Sequence, residues 1–210
     1  ISCRFSERKT KRRFYSRVTF CLSGPLLYYT DGTLNKHRVR FVIQGFTMMS
    51  GRDFTETFAP VTQMVSMKLF YVIVLWYQFE NRVYDVKSAY LNTTMDTEIW
   101  ARLPKGFTYD GCEYARVYKA IPGVKQGAYL WWVKFRKALE SSGFAIQDVE
   151  PCLFIFWKNN ICCILLIHTD NIMVGSNNYE WWECEIAKWD FTTERVHTES
   201  VLGLHCERTA

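Results

Sequence analysis

Ile161-Cys162-Cys163-Ile164-Leu165-Leu166-Ile167 runs into His168-Thr169-Asp170-Asn171 and leaves through Ile172-Met173-Val174-Gly175. Two short apolar runs flank a polar tetrad, which reads as two strands joined by a turn that carries an acid. A second acid has a related setting. Asp85 follows the extended stretch Phe79–Tyr84 and leads into Val86-Lys87-Ser88-Ala89-Tyr90. A strand-borne acid and a hairpin-tip acid, brought together across a sheet, can share divalent metals. Two such metals can activate a hydroxyl nucleophile and stabilise a leaving pyrophosphate. Magnesium prefers a few carboxylates plus substrate phosphates, so two acids suffice in outline. Taken singly, each acid also has a plain reading. Asp-Asn is a common turn pair, and an Asp ending a strand is a cap or a surface charge.

Outward from this pair, helices and strands mix. Val65–Tyr77 is a long, largely apolar segment, and its length favours a buried helix over two strands. From Leu130 to Ser142, Trp131, Phe135, Ala138 and Leu139 fall on one helical face, with Gly143 as the stop. Tyr179, Trp182, Ile186 and Trp189 repeat at helical spacing, with Asn177 or Asn178 as N-cap. Near the other end, Thr30-Asp31-Gly32-Thr33 is a turn signal between Leu22–Tyr29 and Val39–Ile43, which predicts a hairpin.

Composition sets the limits. The chain has 210 residues, 49% hydrophobic and 22% charged, which suits a globular core and argues against disorder. Seven basic residues and one acid lie in residues 1–20, so the net charge of +5 is concentrated in that flank. It reads as a solvated charge run, with a nuclear-import or RNA-contacting tail as the alternative. The longest unbroken apolar run, Leu69–Tyr77, is nine residues. A membrane span needs about 20, so no membrane is expected, and no secretory leader is legible. The eight cysteines include no Cys-x-x-Cys pair, and reduced thiols are expected. Cys184, His197, His205 and Cys206 fit no standard zinc spacing.

Several blocks in one order carry a resemblance. They are Asp31-Gly32-Thr33 with Arg38-Val39-Arg40-Phe41-Val42-Ile43-Gln44-Gly45-Phe46-Thr47, then Gly51-Arg52-Asp53-Phe54-Thr55-Glu56-Thr57-Phe58-Ala59-Pro60-Val61. Asp85-Val86-Lys87-Ser88-Ala89-Tyr90-Leu91-Asn92 and Gly123-Val124-Lys125-Gln126 with Trp131 follow. Pro151-Cys152-Leu153-Phe154, the Asp170 hairpin, and Leu202-Gly203 with Glu207 complete the series. The chain resembles the reverse transcriptase domain of copia-type LTR retrotransposon Pol polyproteins.

The resemblance implies an α+β fold: right-hand polymerase fingers and palm, an antiparallel palm sheet packed on helices, and a thumb largely absent. Residues 1–20 would be a basic flanking segment. The domain would fill 21–210, with fingers about 21–80 and palm about 81–210. It implies that Asp85 and Asp170 are catalytic and bind two Mg2+ ions, with Mn2+ as a substitute and Asn171 at the degenerate third position. Arg38 and Arg40 would reach the incoming triphosphate, as guanidinium forks suit phosphate oxygens. Tyr90 would pack beneath the sugar and exclude a 2′-hydroxyl. Gly123, Lys125 and Gln126 would form the template loop. The implied partners are an RNA or DNA template-primer and deoxynucleoside triphosphates, with the other Pol domains missing from this chain. The implied location is the cytoplasm, within a virus-like particle, or alternatively the nucleus.

Departures fall on functional positions. The family hairpin reads Tyr-Val-Asp-Asp, where this chain has His168-Thr169-Asp170-Asn171. Thr93 stands for a family Gly, Ala128 and Tyr129 for a Pro and an Arg, and Pro122 for a Tyr. Asn171 offers one oxygen and no charge. His168 is either a shorter aromatic or, when protonated, a cation beside the metals. Asp→Asn and Tyr→His each need one base transition, so a decaying element copy is expected, with impaired polymerase activity. The alternative is a catalytically dead remnant that at most binds nucleic acid.

Overall fold

A computed structural model describes the backbone of residues 20–23, 26–28, 33–37, 40–108, 111–196, 200–201 and 204–205, and the side chains of 33, 41–108 and 111–196. The chain opens with strands β1 (Phe20–Ser23), β2 (Leu26–Tyr28), β3 (Leu34–His37) and β4 (Arg40–Ile43). Helix α1 (Met64–Trp76) and strands β5 (Glu80–Val86), β6 (Thr94–Arg102) and β7 (Tyr114–Lys119) follow. Then come α2 (Gly127–Ser141), β8 (Ala145–Ile146), β9 (Leu153–Lys158), β10 (Ile161–His168), β11 (Asn171–Ser176) and α3 (Tyr179–Ile186). Strands β12 (Thr193–Val196), β13 (Ser200–Val201) and β14 (Leu204–His205) close the order. This is a mixed α+β protein in which every paired strand is antiparallel. Among the described residues no helix is long and apolar enough to cross a membrane.

The chain divides into two compact units that interleave along the sequence, residues 1–58 with 90–131, and residues 59–89 with 132–210. In the first unit β2 pairs with β3, while β1 pairs with β4, so the strands nest. The turn expected at Thr30–Thr33 lies outside the described residues apart from Thr33; the strand that pairs with Leu26–Tyr28 is Leu34–His37, and Arg40–Ile43 pairs with β1 instead. The pair β6–β7 packs Ile99, Ala101, Ala115 and Val117 against Ile43, Met48 and Val124. Backbones meet very closely here. Ile43 N–H donates to Pro122 O at 2.9 Å. A Cβ on Gly123 would lie 2.0 Å from Ile43 O, and Gly123 has φ +94°. Gly123→Ala therefore meets both a left-handed backbone and a backbone clash. It is expected to cost about 3 kcal/mol or more, read as a fall in the midpoint of thermal unfolding.

The second unit is built on a six-stranded sheet in the order β12-β5-β11-β10-β9-β8. Strands β10 and β11 are buried nearly end to end, which explains their unbroken apolar runs. The β9–β10 turn carries Asn159 and Asn160 at φ 53° and 62°, the left-handed backbone that asparagine tolerates and two-residue hairpins favour. Helix α1 rests Met67, Phe70 and Val74 in the core. A Cβ on Gly175 of β11 would stand 2.4 Å from Val74 Cγ2, so glycine lets the helix approach the strand. The expectation of a fully buried α1 is corrected: Val65, Val72 and Trp76 are 73%, 60% and 81% exposed. The predicted second helix is found as α2, closed by Gly143 at φ +88°. The third, α3, is capped by Asn178, which accepts from Trp181 N–H at 2.9 Å. It ends at Ile186, and Trp189 in the following turn still packs edge-on against Trp182. Cys112, Cys152, Cys162, Cys163 and Cys184 are free thiols. His197 and Cys206 of the zinc reading lie outside the described residues, and His205 is described in backbone only.

Candidate active site on the six-stranded sheet

Strand β5 runs between β11 and β12. Its register sets Asp85 opposite Asn171 on one side and opposite Glu194 on the other. Asn171 in turn faces His168 on β10. Register partners on neighbouring strands share a sheet face, so Glu194, Asp85, Asn171 and His168 form one row across four strands. Asp170 sits in the two-residue turn before Asn171. Val86 N–H donates to Asp170 O at 2.8 Å, which ties the hairpin tip to the end of β5 beside Asp85. Lys87 N–H donates to Thr192 O at 3.0 Å and anchors the other flank. Thr169 completes the turn at φ 59°, a costly backbone for a β-branched residue.

The electrostatics follow from this crowding. Burial raises the Asp85 carboxyl above the ordinary carboxylate range, and the charges of Asp170 and Glu194 raise it further. Lys87 offsets only part of this. Lys87 Nζ lies 2.9 Å from Glu194 Oε2. The Asn171 amide N–H2 is 3.4 Å from Asp170 Oδ1, a long contact. His168 Nδ1 is buried without a hydrogen-bond partner among the described residues.

Among the described residues no three His, Cys, Asp or Glu side chains stand close enough to cage an ion unaided. A magnesium site does not require that, because one or two carboxylates with substrate phosphates complete it. Asp85 and Asp170 provide two hard oxygen donors whose mutual repulsion a divalent cation would relieve. The donor set therefore fits Mg2+ or Mn2+.

The other residues singled out in the sequence are placed as follows. Tyr90 is half-buried in the 3-10 turn Ala89–Asn92. Thr93, where the family has Gly, is buried and its hydroxyl donates to Tyr90 O at 2.8 Å, closing that turn. Gly123 and Lys125 are exposed, and Lys125 Nζ is 5.0 Å from the centre of the Phe54 ring. Gln126 is wholly buried, with Nε2 donating to Asp53 O at 2.9 Å. In this loop it acts as an internal tie. Arg38 lies outside the described residues, and Arg40 is described only as backbone, at the start of β4.

Two features escaped the sequence reading. Glu194 and Lys87 flank Asp85, and nothing in Thr193-Glu194-Arg195-Val196 announces a strand or its partner. Asp53 is the other. It is 4% exposed, accepts from Met49 N–H at 2.9 Å and pairs with Arg52 at 2.8 Å. Burial alone would raise its carboxyl, but the Arg52 guanidinium and the Met49 N–H outweigh burial and hold it below the usual range. A depressed folded value stabilises above the unfolded value of about 4 and is lost as pH falls through the folded one. Asp53→Asn is thus expected to lower stability at pH 7 by about 1–3 kcal/mol. The gap to the parent should shrink below about pH 4, measured by denaturant titration at each pH.

Fold and site define an α+β protein in which the six-stranded sheet of the second unit sets Asp85 beside an acid-tipped hairpin. Residues 29–189 match the family described as "Reverse transcriptase (RNA-dependent DNA polymerase)", and the chain belongs to that family. It is 30% identical over 153 residues to the "Retrovirus-related Pol polyprotein from transposon RE2" of Arabidopsis thaliana, covering 72% of this chain and 10% of that protein. It is also 30% identical over 151 residues to the corresponding polyprotein from transposon TNT 1-94 of Nicotiana tabacum, covering 70% and 11%. The "Putative transposon Ty5-1 protein YCL074W" of Saccharomyces cerevisiae is 24% identical over 131 residues, 60% of this chain and 42% of that protein. The match thus spans about a tenth of the length of the plant Pol polyproteins. The resemblance to copia-type Pol reverse transcriptases read from the motifs is borne out.

Proposed function

We propose that this domain is an RNA-directed DNA polymerase acting by two-metal nucleotidyl transfer, with activity reduced by Asn171. The observation that carries the reading is the register of β5 and β11, which sets Asp85 beside the acid-tipped hairpin. Two divalent cations, when bound, would lower the pKa of a primer 3′-hydroxyl and take up charge on the leaving pyrophosphate. Asp85 and Asp170 would hold and orient them. Val86 N–H, by fixing the Asp170 carbonyl, keeps the hairpin tip at the working end of β5. Tyr90 is proposed to sit beneath the sugar, Arg38 and Arg40 at the triphosphate, and Gly123 and Lys125 along the template, with buried Gln126 tying that loop from within. Fingers are assigned to about 21–80 and palm to about 81–210. The proposed partners are a template-primer and deoxynucleoside triphosphates, and the proposed location is a cytoplasmic particle.

A second reading is favoured by Asn171 and His168 on the metal-facing row. In it the domain is a catalytically dead remnant of a decaying element that at most binds nucleic acid. Primer extension on an RNA template with Mg2+ and then Mn2+ separates the two. Activity that disappears in Asp85→Ala supports the polymerase. A folded chain that is silent and that Asn171→Asp fails to rescue supports the remnant.

A further inference from the structure

We propose that Glu194 supplies negative charge from β12 toward the divalent cation held at Asp85 and Asp170, replacing part of the charge that the hairpin lacks at Asn171. The proposal rests on the polymerase reading above and concerns how this chain makes up its own deficit.

Asp85 has two lateral neighbours, Asn171 on β11 and Glu194 on β12, both register partners of the same residue. The hairpin side has become neutral, while the opposite side carries a carboxylate. The Glu194 side chain reaches toward Lys87. Lys87 lies in the turn just past the end of β5, two residues beyond Asp85, and its Nζ meets Glu194 Oε2 at 2.9 Å, which keeps the carboxylate at the strand end that carries Asp85. Both side chains are more than half exposed, at 56% and 62%. Such a solvated pair is weak, so a divalent cation competes well with one ammonium group for the carboxylate. Because no three acids converge on one point, Glu194 acts through space and is no third tight ligand. Its contribution is charge, which predicts rescue when the same charge is moved across Asp85.

The test is Mn2+ titration of the whole chain, with free Mn2+ read by electron paramagnetic resonance and folding checked by circular dichroism. Glu194→Gln is expected to weaken Mn2+ binding roughly tenfold. Glu194→Asp, which keeps the charge, should stay near the parent. The double variant Glu194→Gln/Asn171→Asp should bind again within about threefold of the parent. Asp85→Asn should remove saturable binding. If Glu194→Gln binds like the parent while Asp85→Asn does not bind, Glu194 has no such role and the polymerase reading stands. If Glu194→Gln is weak and the double variant stays weak, its contribution is something other than charge, and the proposal is overturned. If the parent shows no saturable Mn2+ that Asp85→Asn removes, the polymerase reading falls and the proposal with it.

Discussion

An Asp85→Asn chain is expected to unfold at a higher temperature than the parent and to extend no primer. The two effects share a cause. Asp85 is half-buried on β5, in range of the charges of Asp170 and Glu194, with only Lys87 to offset them. Its carboxyl is therefore held above its ordinary range, first by burial and then by these acids. A raised acid contributes stability below its unfolded value near 4 and loses it as pH rises through the folded value. At pH 7 the ionised Asp85 consequently weighs against the fold. Asparagine keeps the shape, drops the charge, and offers an N–H2 to the acids beside it. The gain should be about 1 kcal/mol or less at pH 7, and should vanish near pH 4. Primer extension should fall by a factor of about 10³, as when a group serving the transition state is removed. Thermal unfolding at pH 4 and 7, with extension assays in an Asn171→Asp background, measures both. A variant no more stable than the parent at pH 7 would mean that Asp85 is not under the repulsion described.

That trade-off bears on what the sequence discloses. The buried hairpin β10–β11 and the helices α2 and α3 are legible because core burial imposes a pattern on them. Apolar runs of seven and four residues about a polar turn, or a 3.6-residue apolar repeat, leave few alternatives. Asp170 is legible for the opposite reason: an acid at the tip of an apolar hairpin contradicts the local pattern, and such contradictions gather at working sites, whereas Asp85, on the largely polar strand Glu80–Val86, is marked by the block Asp85–Asn92. Helix α1 shows where composition misleads. Apart from Ser66 and Lys68 its run is apolar, yet only the face of Met67, Phe70 and Val74 is buried. Which face is covered depends on chain topology, and local sequence does not encode it. The same holds for β12, whose residues beyond Thr193 are exposed and without alternation. Its pairing with β5 decides that Glu194 neighbours Asp85, and that pairing exists only once the chain has turned back after α3. Gln126 and Asp53 lie inside the first unit for a third reason. Specific partners meet them, Asp53 O for the Gln126 N–H2 and Met49 N–H with Arg52 for the Asp53 carboxylate, while Gln126 Oε1 is buried without a partner among the described residues. The Gln126 partner is 73 residues away and leaves no mark beside it.

Asn171→Asp should move stability and activity in the directions opposite to Asp85→Asn. The substitution places a fourth carboxylate on a face that already holds Asp85, Asp170 and Glu194, with Lys87 as the nearby cation. It also turns the long 3.4 Å amide contact to Asp170 into a repulsion. In metal-free buffer the variant should therefore lose about 1 kcal/mol. Divalent ions reverse the sign. One unit charge about 4 Å from another is worth about 4 kcal/mol at an effective dielectric of 20, before desolvation is subtracted. A net gain of about 1.4–2.8 kcal/mol corresponds to a 10- to 100-fold rise in cation affinity or rate. Ligand that binds only the folded state raises stability with its concentration. The variant should thus start below the parent in unfolding temperature and overtake it as Mg2+ is added, while primer extension rises at least tenfold. Thermal shift across a Mg2+ series, run beside extension assays, follows both. A crossover in stability without any extension would mean that the metals return to an intact sheet while other replaced positions, His168 or the Ala128-Tyr129 pair, have ended catalysis. No crossover would remove the metal site itself, and with it the reason for reading Asn171 as the step that disabled the enzyme.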